Sequence, residues 1–133
     1  MKLSSKTHYG LQAMYFLAVH YGKEPISASE LGRIAGVSPK YLEQILRKLQ
    51  ARNIISSTRG AQGGYYLSRE PEKITVGDVV RTLEDDIEII ECVAGGGKCK
   101  CCPTSGVWKK LYDGINDLLD GITLKDVATG NVN

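Results

Sequence analysis

From Ser27 to Ser68 the chain reads SASELGRIAGVSPKYLEQILRKLQARNIISSTRGAQGGYYLS, an order of signals that admits few folds. Ser27 followed by Glu30 is a capping-box pattern. The short run Leu31, Ile34, Ala35 then closes at Gly36 and predicts a helix of two turns. Ser38 as N-cap with Pro39 at the first helical position opens another helix, on which Tyr41, Leu42, Ile45, Leu46 and Leu49 form one apolar stripe. A short helix, the turn AGVS and a longer helix have the sequence form of a helix-turn-helix. The segment NIISSTRGAQGGYYLS reads as a strand, a glycine-rich turn with Arg59 at its tip, and a second strand. A hairpin directly after a helix-turn-helix is a wing.

The polar face of the third helix carries Lys40, Glu43, Gln44, Arg47 and Lys48, groups able to meet phosphates or base edges. An Arg-Gly tip is narrow enough for a minor groove, where the negative potential attracts a guanidinium. Charge distribution agrees. Residues 1–70 hold ten Lys/Arg against four Asp/Glu, whereas residues 71–133 hold seven against eleven. The net charge of +2 thus hides a basic N-terminal half suited to a polyanion. RGAQGG is not a nucleotide-binding loop, since no lysine and Ser/Thr follow it in the P-loop pattern and no GxGxxG opens a helix after a strand.

Around this unit lie two further helical regions. Upstream, HYGLQAMYFLAVHYG places Leu11, Met14, Ala18 and Tyr21 at helical spacing, with Gly22 as a stop. Downstream, EPEKIT marks a boundary, and Thr75 with Asp78 caps a short helix bearing Val76, Val79, Val80 and Leu83. Beyond Pro103 the positions Trp108, Leu111, Ile115, Leu118 and Ile122 recur in steps of three and four, a seam that on so small a chain calls for an apolar partner, either the same helix of a second subunit or the chain's own winged domain. The expected fold class is mainly α with a small β-hairpin wing: a winged helix-turn-helix plus a long C-terminal dimerisation helix. The expected division is a DNA-binding region at 1–72 and a cysteine-loop sensor and dimerisation region at 73–133.

All four cysteines fall between Cys92 and Cys102. No stretch reads as a signal peptide or is long enough to span a membrane, so a cytoplasmic location is expected, where clustered thiols serve metals or redox chemistry more often than structural disulfides. The spacing C-x6-C-x-C-C fits neither paired zinc knuckles nor ferredoxin signatures and leaves several centres open. Cys102 is expected near the N-cap of the C-terminal helix, where the helix dipole favours a thiolate. The carboxylates Glu84, Asp85, Asp86, Glu88 and Glu91 read as a solvated connector without calcium-loop spacing. No Cys/His/Asp constellation marks an enzyme, and His20 has no recognisable partner.

The opening MKLSSKTHYGLQAM, the run SPKYLEQILRKL, the wing STRGAQGGYYL and the later ITVGDVVRTLE together resemble the IscR-like (Rrf-two) family of bacterial winged-helix transcription regulators, in its cluster-binding branch. The resemblance covers nearly the whole chain. It implies a homodimer on an imperfect palindrome of double-stranded DNA, with the third helix in the major groove and the wing in the minor groove. Carried over by position, Ser38, Lys40, Tyr41, Glu43 and Gln44 contact DNA from the recognition helix, and Arg59 and Gly60 from the wing. Chemistry concurs: Glu43 can accept from a cytosine amino group, Gln44 can pair with adenine, and Lys40 or Arg47 can hold phosphate.

The resemblance also implies an iron-sulfur cluster on Cys92, Cys99 and Cys102, which would modulate operator binding in response to iron, redox state or nitric oxide. Where some relatives have a histidine ligand, this chain has Ser105. Cys101, or His8 of the partner subunit, is then the candidate fourth ligand, and both two-iron and four-iron forms stay open. Zinc or reversible thiol oxidation in a DNA-binding regulator is the alternative, and a metal-binding interaction or redox-carrier domain without DNA binding the more distant one.

Overall fold

A computed structural model describes residues 3–84 and 103–132 of the 133-residue chain. It comprises α1 (Ser5–Val19), α2 (Ala28–Ala35), α3 (Pro39–Ala51), strands β1 (Ile55–Thr58) and β2 (Gly64–Leu67), a 3-10 turn at Pro71–Lys73, α4 (Val76–Leu83), α5 (Ser105–Asp120) and α6 (Leu124–Thr129). The mainly helical architecture with one antiparallel hairpin is that of a winged helix-turn-helix.

The helix boundaries follow local chemistry. Ser27 and Ser38 accept the backbone N–H of Glu30 and Tyr41, capping α2 and α3, and Pro39 occupies the first turn of α3. Gly36 closes α2 in the left-handed region, φ 76°, which sets the sharp turn into α3. Thr75 and Asp78 form a reciprocal capping box at α4.

One core unites elements from both ends of the chain. Met14 and Leu17 of α1, Leu31 of α2, Leu42, Ile45, Leu46 and Leu49 of α3, and Ile55 and Leu67 of the hairpin share a buried cluster with Ile74, Val79, Leu83 and Leu124. The apolar stripe expected on α3 is the one buried. On α1 the expected stripe shifts: Met14 and Ala18 are buried and Leu11 packs at the edge, but Tyr21 lies past the helix end and is exposed. Gly10, Ala13 and Leu17 complete the buried face instead. A side chain at Gly10 would collide with Leu83 and press on Ile45, so α1 crosses α3 and α4 at close range only because glycine stands there.

The C-terminal part differs from expectation in three respects. The N-cap of α5 is Thr104 rather than Cys102. The helix ends at Asp120, so Ile122 belongs to the following turn. A separate short helix, α6, then starts from a Thr123–Asp126 capping box. That turn is pinned to the linker before α4, where Val76 N–H donates to Ile122 O and Leu124 N–H to Ile74 O, both at 2.8 Å. Among the described residues, no helix is long and apolar enough to cross a membrane.

Candidate nucleic-acid interface

The residues singled out on α3 stand on one solvent face. Lys40, Glu43, Gln44, Arg47 and Lys48 are exposed, while Leu42, Ile45, Leu46 and Leu49 fix the opposite face in the core. Tyr41 lies between the two: it is half-buried and meets Tyr9 of α1 edge-on, with ring centroids 6.1 Å apart. The Ser38 hydroxyl, besides being exposed at the entrance of α3, is spent as acceptor for the Tyr41 N–H at 3.1 Å. Its remaining O–H is the group left to donate to a phosphate.

The hairpin pairs Ile55 with Leu67, Ser56 with Tyr66, Ser57 with Tyr65 and Thr58 with Gly64. Its turn closes by Gly63 N–H donating to Gly60 O at 3.0 Å, so Arg59 stands just before the turn rather than at its apex. Gly60 takes φ 109°, a conformation that L side chains rarely adopt, and this allows the tip to stay narrow. Arg59 and Gly60 are both exposed. Among the described residues, Lys40, Arg47 and Arg59 form no ion pair, which leaves three cations available to an anionic partner.

What fixes the wing relative to α3 was not legible in the sequence. Ile26, in the segment before α2, forms an antiparallel bridge with Tyr65: Ile26 N–H donates to Tyr65 O at 3.0 Å and Tyr65 N–H to Ile26 O at 2.8 Å. On the other edge the Gln50 amide of α3 donates to the Ser57 hydroxyl of β1 at 3.0 Å. Recognition helix and wing are therefore one body, a requirement if both are to enter adjoining grooves.

A second group ties α1 to the end of α4. The Glu84 carboxylate accepts the Thr7 hydroxyl and the Ser4 backbone N–H, each at 2.6 Å. These bonds, Thr7 first and Ser4 next, hold the Glu84 carboxyl below the ordinary carboxylate range, with a smaller contribution from the Lys48 charge. The sequence placed Glu84 in a solvated acidic connector. It is instead a clamp, half-buried because Thr7 beside it is almost fully enclosed.

The C-terminal seam divides between two flanks. Ile115, Leu119 and Ile122 pack on Val76 and Val80 of α4, and Arg81 locks that contact with paired bonds to Asp120 at 2.8 Å and to Asn116 at 3.0 and 3.1 Å. Leu111 and Leu118, expected on the same seam, face outward with Val107, at 46%, 67% and 61% exposure, and Gly114 between them borders open space. These four recur in steps of four, three and four, the spacing of a helix-helix contact.

Cys92, Cys99, Cys101 and Cys102 lie outside the described residues. His8 is exposed on the first turns of α1, its ring 5.2 Å from that of Tyr9, and Ser105 is the first residue of α5. Among the described residues, no three His, Cys, Asp or Glu side chains gather as a metal site.

Residues 3–130 match the Rrf2 family, described as iron-dependent transcriptional regulators. The transcriptional regulator CymR of Bacillus subtilis is 36% identical over 97% of this chain and 91% of its own length. The solved structure of T. potens IscR superposes with a TM-score of 0.81 at 40% identity, covering 98% of this chain and 88% of that one. Staphylococcus aureus CymR in its oxidized form superposes at 0.80 with 37% identity, over 96% of both chains.

Proposed function

The chain belongs to the Rrf2 family of DNA-binding transcriptional regulators, and from that premise we propose that it is a homodimer whose operator affinity is set by an iron-sulfur cluster in the Cys92–Cys102 segment. Membership sets aside an enzyme. It also sets aside a metal-binding domain without DNA binding. The observation that carries the DNA-binding mode is the joining of the wing to α3 through Gln50–Ser57 and to the segment before α2 through Ile26–Tyr65, with Lys40 and Arg47 exposed on α3 and Arg59 exposed on the wing, all three without ion-pair partners among the described residues. In this reading α3 enters the major groove of an imperfect palindrome. Glu43 and Gln44 read base edges, while Ser38, Lys40, Tyr41 and Arg47 hold the backbone. Arg59 enters the minor groove at the turn that Gly60 keeps narrow. The outward stripe Val107, Leu111, Gly114 and Leu118 supports pairing of α5 with a second copy, which would fix the half-site spacing.

The donor set fits a cluster. Thiolates are its usual ligands, three are supplied by Cys92, Cys99 and Cys102, and the fourth position is open to Cys101 or to His8 of the partner subunit, a residue whose ring stands exposed on α1. When bound, such a centre supplies sensitivity to oxidation, nitric oxide and iron supply. The division into regions 1–72 and 73–133 follows as a functional one, reading head against sensor and dimer parts, although both share one core. The likeness to a CymR solved in an oxidized form favours a second reading, in which zinc or reversible thiol oxidation replaces the cluster. Anaerobic purification with iron, sulfide and zinc analysis, followed by DNA binding with and without the metal, separates the two. Equimolar iron and sulfide with altered DNA affinity on their removal supports the cluster; zinc without sulfide rejects it.

A further inference from the structure

The first turn of α1 approaches the DNA-facing side of α3. Lys6 of α1 and Tyr41, Gln44, Ile45 and Lys48 of α3 line a cleft of about 80 Å³. Its floor is the buried Ile45, and its rim is the exposed side chains of Lys6, Gln44 and Lys48 with the half-buried Tyr41. The lining contains two ammonium groups, one amide and one phenol, and no carboxylate. Neither Lys6 nor Lys48 forms an ion pair among the described residues. Glu84, whose charge interacts with Lys48, accepts from Ser4 and Thr7 on either side of Lys6 and does not line the cleft. Two like charges brought together around donors, without an anion of the chain between them, leave a place that an external anion would stabilise.

We propose that Lys6 and Lys48, with the Tyr41 hydroxyl, form a seat for one backbone phosphate of the bound duplex. It rests on the DNA-binding reading and extends it: α1 takes part in holding DNA alongside α3 and the wing. Three features preset the position of Lys6. Glu84 grips the backbone and side chain around it, Thr7 next to it is buried, and Tyr9 abuts Tyr41. Lys6 therefore arrives without the ordering cost of a loose terminus. A phosphate seat carries no base information, so its contribution is electrostatic and sequence-independent.

The test is DNA binding by the full chain across a salt series, on an operator duplex selected by the wild-type chain from a random pool and on an unrelated duplex of equal length. Lys6→Gln is expected to flatten the slope of log affinity against log salt by about one per bound protomer, on both duplexes alike. Lys6→Arg should retain the slope and Lys48→Gln should reproduce the loss. Because Lys6 is exposed, thermal melting should not change, which separates lost contact from lost fold. An unchanged slope overturns the proposal, and so does a loss confined to the selected operator, which would mark a base contact. Failure of the wild-type chain to select any duplex would instead overturn the DNA-binding reading itself.

Discussion

The Thr7 hydroxyl donates to the Glu84 carboxylate at 2.6 Å, joining the first turn of α1 to the C-cap of α4. Thr7 is almost fully buried, the bond itself is partly buried, and Ser4 N–H adds a second donor to the same oxygen from the exposed side. Thr7→Val keeps shape but removes the donor. It is expected to cost about 1–2 kcal/mol in urea unfolding at neutral pH and fixed protein concentration. The Glu84 carboxyl lies below its ordinary value, so its stabilisation is complete above the unfolded-state value of about 4.3 and is lost as pH falls through the lowered folded value. Glu84→Gln should therefore lower stability at pH 7 and flatten its fall in the acid range below about pH 4.3.

Arg59 on the wing has no carboxylate partner among the described residues and is held beside a turn whose Gly60 conformation few side chains can adopt. Arg59→Ala should abolish specific binding to a selected operator, with each half-site losing roughly 1–3 kcal/mol, while α-helical content and melting stay unchanged. Gel-shift titration and circular dichroism check both halves of the statement. Retained specific affinity would remove the wing from the interface.

The outward stripe of α5 predicts a dimer that a charge can split. Leu118→Lys, alone or with Leu111→Lys, should convert the sedimenting species from dimer to monomer without unfolding it, because both side chains are exposed in the single chain. Ile115→Lys, on the flank packed against Val76 and Val80, should instead destabilise the fold itself by several kcal/mol. Equal sedimentation of Leu118→Lys and wild type would exclude this face as the interface.

If the proposed cluster is present, its fourth ligand can be assigned by substitution. Cys92→Ser, Cys99→Ser or Cys102→Ser should each reduce bound iron and sulfide strongly. Of Cys101→Ala and His8→Ala, the one that removes the true ligand should alter the visible absorption band and the other should leave it intact. Loss in neither would point to a cluster held by three protein ligands.

Much of the fold was legible because its signals are local. Ser27, Ser38 and Thr75 each cap the helix expected after it, since a hydroxyl and a backbone N–H three residues on need nothing from the rest of the chain. The α3 stripe was equally plain: helical period alone places Leu42, Ile45, Leu46 and Leu49 on one side and Lys40, Gln44 and Arg47 on the other. The Thr123–Asp126 box carried the same kind of signal for α6 and lay hidden behind a seam read through Ile122.

Relations across the chain were another matter. A 3.5-residue repeat states that a helix has an apolar side, but not where that side is divided. Only packing on Val76 and Val80, locked by Arg81, decided that Ile115 turns inward and Leu118 outward. Nor could period or propensity assign Glu84 to Thr7, or bring Lys6 beside Lys48, because those pairings arise from the crossing of α1 over α3 and α4 that Gly10 permits. Caps, helix faces and the wing follow from the amino-acid order, because each is set within a few residues. Which charged groups stay unpaired at the surface and which are consumed as clamps depends on burial and on partners distant in the chain, and so emerges only when the helices pack.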